Sequence, residues 1–378
     1  MNETTAPSQK NRVATTDVIK GVLIIGIVII HLLILTGPFN ARHAPLIFEC
    51  LYLGLMCFFI ISGYFFRPEK SFAENTKKRF KQLLISIVAA TLILSTLFYL
   101  WMMAWGKAPS LDDLLWTFQY GLGLDDLWLD PWDCADKPIC LVAVSNYFLW
   151  VMLFSFVVFY ATAKRVISDK RIFAVALIAL LVIQALLTGY FRHVLPFFIH
   201  LTPMGIAFMY TGAFLAKYRF IETIDALPLR DVKKWIPLPI CAVATYVMVM
   251  FIPNKCSFDL MIFGDNGGLS VFTFYVESLL AMVFYVYACA LISRIPLVRS
   301  AFTISGKHTL AITYLHGFVA KFMMVPFFTF TTASVFPPGL SKGALVLFGI
   351  VVVIVILVGC YVKEYLMKTW TKKKTATE

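Results

Sequence analysis

The chain has 378 residues, of which 60% are apolar and only 14% are charged. So little charge cannot cover the surface of a soluble domain of this size, which excludes a water-soluble globular protein. The formal net charge of +12 would suit a nucleic-acid partner, but the placement of the basic residues, described below, argues against one.

Apolar stretches of about 20 residues recur along the chain, and that length crosses a bilayer as a helix. Ten of them follow one another, near residues 17–37, 45–66, 80–104, 144–163, 172–190, 194–216, 235–252, 270–292, 308–330 and 343–364. The sequence therefore predicts an all-α, polytopic transmembrane helix bundle. The bundle occupies residues 17–364, between a cytoplasmic tail at 1–16 and a basic cytoplasmic tail at 365–378.

The basic residues are distributed unevenly between the loops. With a cytoplasmic N-terminus, the segments on that side and the adjoining span edges hold 25 of the 33 Lys and Arg residues, against 6 on the other side. By the positive-inside rule, both termini are expected in the cytoplasm. The basic run Lys77–Lys81 then faces the cytoplasm as well, and contact with anionic membrane lipids is its simplest interpretation.

The longest predicted outside loop, near 105–143, is acidic and rich in tryptophan. It is either an aromatic belt beside a solvated loop or a carbohydrate-binding surface, since indole rings stack on sugars and carboxylates accept hydrogen bonds from hydroxyls. Ser110 and Asp113 have the spacing of a helix cap and predict a short helix lying on the membrane. Cys134 and Cys140 could form a disulfide, with Cys256 as a competitor. No set of cysteines and histidines has metal-ligand spacing, so no metal site is expected.

The first span carries two ionisable residues, Lys20 and His31, in an otherwise apolar stretch. Such residues are costly in a membrane and are therefore functional candidates. Eleven residues make almost three full helical turns, so the two side chains share one helix face, roughly 16 Å apart along the axis. Asp17 lies three residues before Lys20 and can pair with it. Two simpler interpretations stay open: Lys20 can extend to the headgroups, and His31 can be an interhelical hydrogen-bonding residue.

Five blocks of residues, spread along nearly the whole chain, resemble motifs of the membrane acyltransferase-3 family. The first, Asp17-x-x-Lys20-Gly21 with His31, resembles a signature of an Arg or Lys followed by ten residues and a His. The others are Phe58 to Phe65, which contains Phe-Phe-x-x-Ser-Gly, the run Lys77–Lys81, Asn146 to Trp150, and Ile304 to His316. Lys20 stands where Arg is commoner, and it lacks the bidentate geometry of a guanidinium. Thr309 stands where Ser is usual.

The resemblance implies a multi-pass O-acyltransferase of the cell inner membrane. It would move an acetyl group from acetyl-CoA to a hydroxyl of a cell-surface polysaccharide, lipopolysaccharide or lipid-linked glycan. Acetyl-CoA is then a substrate, and no permanently bound cofactor is expected. The expected catalytic residues are His31, Lys20 and His316, with His31 a general base or an acyl carrier. The CoA phosphates are expected at Lys20, Lys77, Lys78, Arg79 and Lys81. The substrate cavity is expected at Asp17, Ser62, Gly63, Trp150 and Glu277.

Other ionisable residues give weaker hypotheses. Glu277 and Lys321 lie at similar depths in neighbouring spans, and we predict that they pair. Glu49 is a further candidate acid or base, and Arg192 with His193 could contact an anionic acceptor.

Two other function classes compete with the enzyme. One is an exporter or flippase for a polysaccharide or lipid-linked sugar, and the other is a structural partner in an envelope-synthesis complex. Transporters often contain internal repeats with broken helices. No repeat relates the two halves of this sequence, which favours the enzyme. The acceptor glycan, the acyl group and the oligomeric state stay open.

Overall fold

The computed structural model describes residues 14–35, 45–106, 110–122, 124, 146–190, 195–252, 268–324 and 342–377. These residues form helices and no strands, which confirms the predicted all-α bundle. In chain order the helices are α1 (Ala14–Leu35), α2 (Pro45–Tyr64), α3 (Phe72–Ala89), α4 (Ser95–Ala104), α5 (Leu111–Gly121), α6 (Asn146–Ser168), α7 (Lys170–Tyr190), α8 (Thr202–Lys217), α9 (Phe220–Asp225), α10 (Pro237–Phe251), α11 (Ser270–Ile292), α12 (Pro296–Lys307), α13 (Thr309–Met324) and α14 (Lys342–Thr377). A π-helical segment, Ala90–Leu94, joins α3 to α4.

Most of the predicted spans coincide with long apolar helices. Among the described residues, eight stretches are long and apolar enough to cross a membrane: Thr15–Leu32, Phe72–Ala104, Tyr147–Ser168, Lys170–Tyr190, Pro196–Lys217, Val232–Phe251, Ser270–Ile292 and Val346–Met367. Two shorter apolar helical stretches, Leu53–Tyr64 and Thr309–Ala320, fall within the two remaining predicted spans. The count of ten spans stays a prediction.

Local capping signals decide where two helices begin. At α3, the Ser71 side chain accepts a hydrogen bond from the Glu74 backbone N–H, and the Glu74 carboxylate accepts one from the Ser71 N–H. This capping box starts the helix eight residues before the predicted apolar span, so the basic run at 77–81 is helical. The predicted cap at α5 is confirmed, because the Asp113 N–H donates to the Ser110 hydroxyl at 3.0 Å.

The two terminal helices of the chain differ in how they are packed. The first, α1, is buried among α2, α11, α12, α13 and α14. The last, α14, has 36 residues and is roughly 54 Å long at 1.5 Å per residue, which exceeds the ~30 Å hydrocarbon core. The helix extends to Thr377 and so includes residues 365–377, which were predicted to be a cytoplasmic tail. Its outward side chains are apolar and exposed, as are those of α7 and α10, which is the surface expected of helices that face lipid.

A close crossing fixes α12 against α1. A Cβ added at Gly306 would lie 1.8 Å from the backbone carbonyl oxygen of Asp17, and one at Gly21 would lie 2.0 Å from that of Phe302. Only glycine allows two helix backbones to approach this closely. The crossing places the end of α12, and α13 after it, beside the first helix.

Candidate active site

A cavity of about 310 Å³ lies between α1, α2, α3, α6, α12 and α13. This volume is at the lower end of the range of small-molecule sites. Its wall is mostly apolar, with ten polar or titratable side chains among the described residues: Lys20, His31, Ser62, Arg79, Gln82, Tyr147, Lys307, Thr309, Thr313 and His316. The helix face that Lys20 and His31 were predicted to share is therefore the face of α1 that lines the cavity.

A pair of histidines forms one end of the cavity, here called the histidine end. Nδ1 of His31 lies 2.8 Å from Nε2 of His316. The ring centroids are 5.0 Å apart and the ring planes are inclined by 23°, so the two rings lie edge to edge and nearly coplanar. His316 is buried, whereas His31 is half-buried. The pair joins residues 285 positions apart in the chain, so helix packing alone brings them together.

Three basic side chains, Lys20, Arg79 and Lys307, line the cavity away from the histidines and are here called the basic end. The Lys20 ammonium lies 3.8 Å from the carboxylate of Asp17, which is only 2% exposed. The predicted Asp17–Lys20 pair is thus confirmed. Lys307 directly follows Gly306, whose backbone packs on Asp17, so Lys307 lies at the same depth as this pair.

Aromatic contacts place Arg79 at the basic end as well. The Lys20 ammonium lies 5.9 Å from the centre of the Phe65 ring, and the Arg79 guanidinium lies 5.8 Å from that of Phe156. Phe66, the next residue after Phe65, stacks on Tyr160, which in turn stacks on Phe156. Cations placed over aromatic faces are held partly by the ring quadrupole.

Two parallel helical segments connect the basic end with the histidine end. One runs along α1 from Lys20 to His31, and the other runs from Lys307 along α13 to His316. The α1–α12 crossing brings the starts of the two segments together, and the histidine contact brings their ends together. The cavity thus has cations at one end and imidazoles at the other.

The remaining predicted site residues lie in several places. Ser62 lines the cavity. Its neighbour Gly63 faces α8 instead, where an added Cβ would lie 1.9 Å from the Met209 carbonyl oxygen. Trp150 is buried, and its indole N–H donates to the Gly121 carbonyl at 3.2 Å. Glu277 is buried in α11, away from the cavity wall.

Lys77, Lys78, Arg79 and Lys81 are all exposed, and of these four residues Arg79 alone lines the cavity. Several further predictions lie outside the described part of the chain, namely the side chains of Glu49 and Lys321, the possible disulfide between Cys134 and Cys140, and the pair Arg192 and His193. Among the residues that are described, no group of three or more His, Cys, Asp or Glu side chains could hold a metal ion.

Sequence reasoning gave no site role to five polar residues of the cavity, namely Gln82, Tyr147, Lys307, Thr309 and Thr313. A signal for Lys307 was present in the sequence, because it stands at the start of an apolar stretch with a histidine further along, as Lys20 does. No such signal marked Gln82 or Thr313, since polar residues are common on helix faces.

The fold and the cavity together define a multi-pass membrane protein with a candidate catalytic histidine. A comparison with family models identifies the family. The acyltransferase-3 model, described as an acyltransferase domain, matches residues 14–364. The chain belongs to the membrane acyltransferase-3 family and is a membrane acyltransferase. Comparisons with curated proteins and with solved structures returned no match.

Proposed function

We propose that the protein is an inner-membrane O-acyltransferase that moves acetyl from cytoplasmic acetyl-CoA to a hydroxyl of a cell-surface polysaccharide, lipopolysaccharide or lipid-linked glycan. The observation that carries this proposal is the cavity itself, which joins a cluster of three cations to a histidine pair. The family supports the acyl transfer, and the cavity supports the choice of donor and the route.

The basic end suits the phosphates of coenzyme A. Lys20, Arg79 and Lys307 offer two ammonium groups and one guanidinium to the same cavity, and charge-assisted hydrogen bonds to phosphate are among the stronger polar interactions in proteins. The positive-inside rule puts this end at the cytoplasm, where acetyl-CoA is made. Lys77, Lys78 and Lys81 add positive charge on the exposed side of α3, which attracts an anionic donor over a longer range.

The apolar middle of the cavity suits the arm that carries the thioester. Lys20 and His31 are roughly 16 Å apart along α1, so phosphates held at the basic end would place a long, flexible thioester arm toward the histidines. The intervening wall includes Ile24, Ile27 and Phe58, which exclude water and so protect the thioester from hydrolysis.

His31 supplies the group that reacts. As a general base, its nitrogen lone pair takes the proton of the acceptor hydroxyl, the oxygen attacks the thioester carbonyl, and the carbon–sulfur bond breaks. Coenzyme A leaves as a thiolate, which takes up the proton that His31 holds. As a nucleophile, His31 itself attacks the carbonyl, the carbon–sulfur bond breaks, and coenzyme A leaves as a thiolate. The acceptor oxygen then attacks the acyl-imidazole, the acyl–nitrogen bond breaks, and the hydroxyl proton goes to the thiolate. Both routes need the same lone pair.

The proposal is tested with membranes that contain the protein, incubated with radiolabelled acetyl-CoA and envelope glycans. We expect label in an alkali-labile ester on the glycan with the wild-type protein. For His31→Ala we expect a loss of at least about 100-fold, the size of a general acid–base contribution.

His308→Ala is the matched control, because His308 does not line the cavity. It should retain activity, provided that all three proteins are recovered folded in equal amounts. Ester formation by His31→Ala at the wild-type rate would exclude the role of His31. Absence of labelled ester with the wild-type protein and every envelope glycan tried would contradict the proposed reaction.

A further inference from the structure

We propose that His316 is a positioning residue that determines which ring nitrogen of His31 carries the proton. This inference rests on the proposed function for its chemical meaning, but the proton position itself can be measured without any activity. It starts from three hydrogen bonds at the histidine end of the cavity.

The backbone of α13 fixes the proton of His316. Nδ1 of His316 lies 2.9 Å from the carbonyl oxygen of Thr313 and 3.0 Å from that of Ile312. A carbonyl oxygen only accepts hydrogen bonds, so Nδ1 must carry the hydrogen that both carbonyls share. In a neutral imidazole the other nitrogen then has no proton and is an acceptor. The acceptor nitrogen of His316 is therefore Nε2.

The same reasoning applies to His31. Nε2 of His316 accepts a hydrogen bond from the nitrogen 2.8 Å away, which is Nδ1 of His31. Nδ1 of His31 therefore carries its proton, and the lone pair of a neutral His31 is at Nε2. The chain of donors and acceptors runs from the α13 backbone through two imidazoles, and with both rings neutral it is the one arrangement in which all these bonds are made.

This arrangement places the reactive lone pair away from His316. With the opposite tautomer, the lone pair of His31 would be at Nδ1, facing the lone pair at Nε2 of His316 with no proton between them, and the cavity would meet an N–H donor. Neither proton abstraction nor attack on a thioester could then occur at Nε2. The nearly coplanar arrangement of the two rings directs Nδ1 of His31 toward Nε2 of His316. Hydrogen bonds to the α13 backbone hold the His316 ring in place, and His316 in turn orients the ring of His31.

A pair of substitutions separates this role from simple packing. Glutamine at position 316 can place an amide oxygen near the former Nε2 and accept from His31, whereas methionine fills a similar volume but accepts hydrogen bonds only weakly. We expect His316→Met to lower kcat by about 10- to 100-fold, as loss of an outer-shell partner does, with the KM for acetyl-CoA changed less than about twofold. His316→Gln should recover most of that loss. Equal kcat for the two variants would overturn the inference.

The proton position is measured by nitrogen NMR of purified protein carrying isotope-labelled histidine, with the His31 signals assigned from a His31→Gln sample. In the wild-type protein we expect a protonated Nδ1 and an unprotonated Nε2 at His31. In His316→Met we expect His31 to become a mixture of tautomers, and in His316→Gln to keep the wild-type form. A protonated Nε2 in neutral, wild-type His31 would overturn the inference, as would an unchanged His31 spectrum in His316→Met.

The two lines of evidence distinguish failure of this inference from failure of the proposed function. Loss of activity in His31→Ala, together with full activity in His316→Met, would remove the positioning role alone. Absence of transferase activity in the wild-type protein would remove the proposed reaction, while the NMR spectra would still decide the tautomer.

Discussion

Lys307 extends the charge of Lys20 and Arg79 around the basic end of the cavity, on a different helix from either. If these cations bind the donor phosphates, Lys307→Met should raise the KM for acetyl-CoA by about tenfold, because a hydrogen bond to a charged group contributes about 1.5 kcal/mol. Lys307→Arg keeps the charge and should stay within about threefold of the wild type. The measurement is initial rate against acetyl-CoA concentration, with kcat expected to change little.

Lys363→Met provides the control for lost positive charge, since Lys363 is an exposed residue of α14 outside the cavity. Its KM should match the wild-type value. The assignment of Lys307 to the donor site fails if Lys307→Met and Lys363→Met have the same KM. Raised ionic strength should weaken donor binding in the wild-type protein, because salt screens exposed charges.

At the scale of helices, the crossing of α1 and α12 determines where the two helical segments that line the cavity begin. Gly306→Ala would put a methyl group 1.8 Å from the Asp17 carbonyl oxygen, so one backbone must move. Overpacking of this kind costs about 1–3 kcal/mol, and we expect a lower thermal unfolding midpoint in detergent and a smaller folded yield.

Gly359→Ala is the matched substitution for this experiment. An added Cβ there meets nothing within 4 Å, and alanine favours the helix by about 1 kcal/mol over glycine in soluble hosts. Its unfolding midpoint should equal or exceed the wild-type value. Equal unfolding temperatures for Gly306→Ala and Gly359→Ala would show that the crossing has room for a methyl group at position 306.

Hydropathy predicted the helices well where burial and length set the pattern, and less well at their ends. The start of α3 at Phe72 depends on the cap formed by Ser71 and Glu74, which lies in a polar segment that a hydropathy pattern ignores. The extension of α14 to Thr377 is likewise polar and basic. A pattern of apolar residues identifies the part of a helix that crosses lipid, and it carries little information about where the helix continues beyond it.

Helix geometry predicted the site within one helix only, whereas the family resemblance supplied Ser62, Arg79 and His316 on other helices, which line the cavity. The spacing of Lys20 and His31 determines a shared face, and the spacing of Asp17 and Lys20 determines an ion pair, because both follow from helix geometry. The contact between His31 and His316 depends on how distant helices pack, which a single sequence does not contain. The placements of Gly63 against α8 and of Trp150 against Gly121 are of the same kind.

At the scale of the whole molecule, the proposed transfer has a direction. The positive-inside rule predicts that the basic end of the cavity is at the cytoplasm, and the acceptor glycan is expected on the opposite side. Under the proposed function, the acyl group is delivered from the level of Lys20 to that of His31, while coenzyme A stays on the side from which it came.

The most direct test uses purified protein in sealed liposomes, with radiolabelled acetyl-CoA outside and an acceptor glycan enclosed. Only molecules oriented with the basic end outward can react, and membrane-impermeant donor cannot reach the lumen unaided. We expect alkali-labile label on the enclosed glycan with the wild-type protein, and none above background with His31→Ala. Label found only on glycan added to the same side as the donor, or equal label with both proteins, would contradict the account.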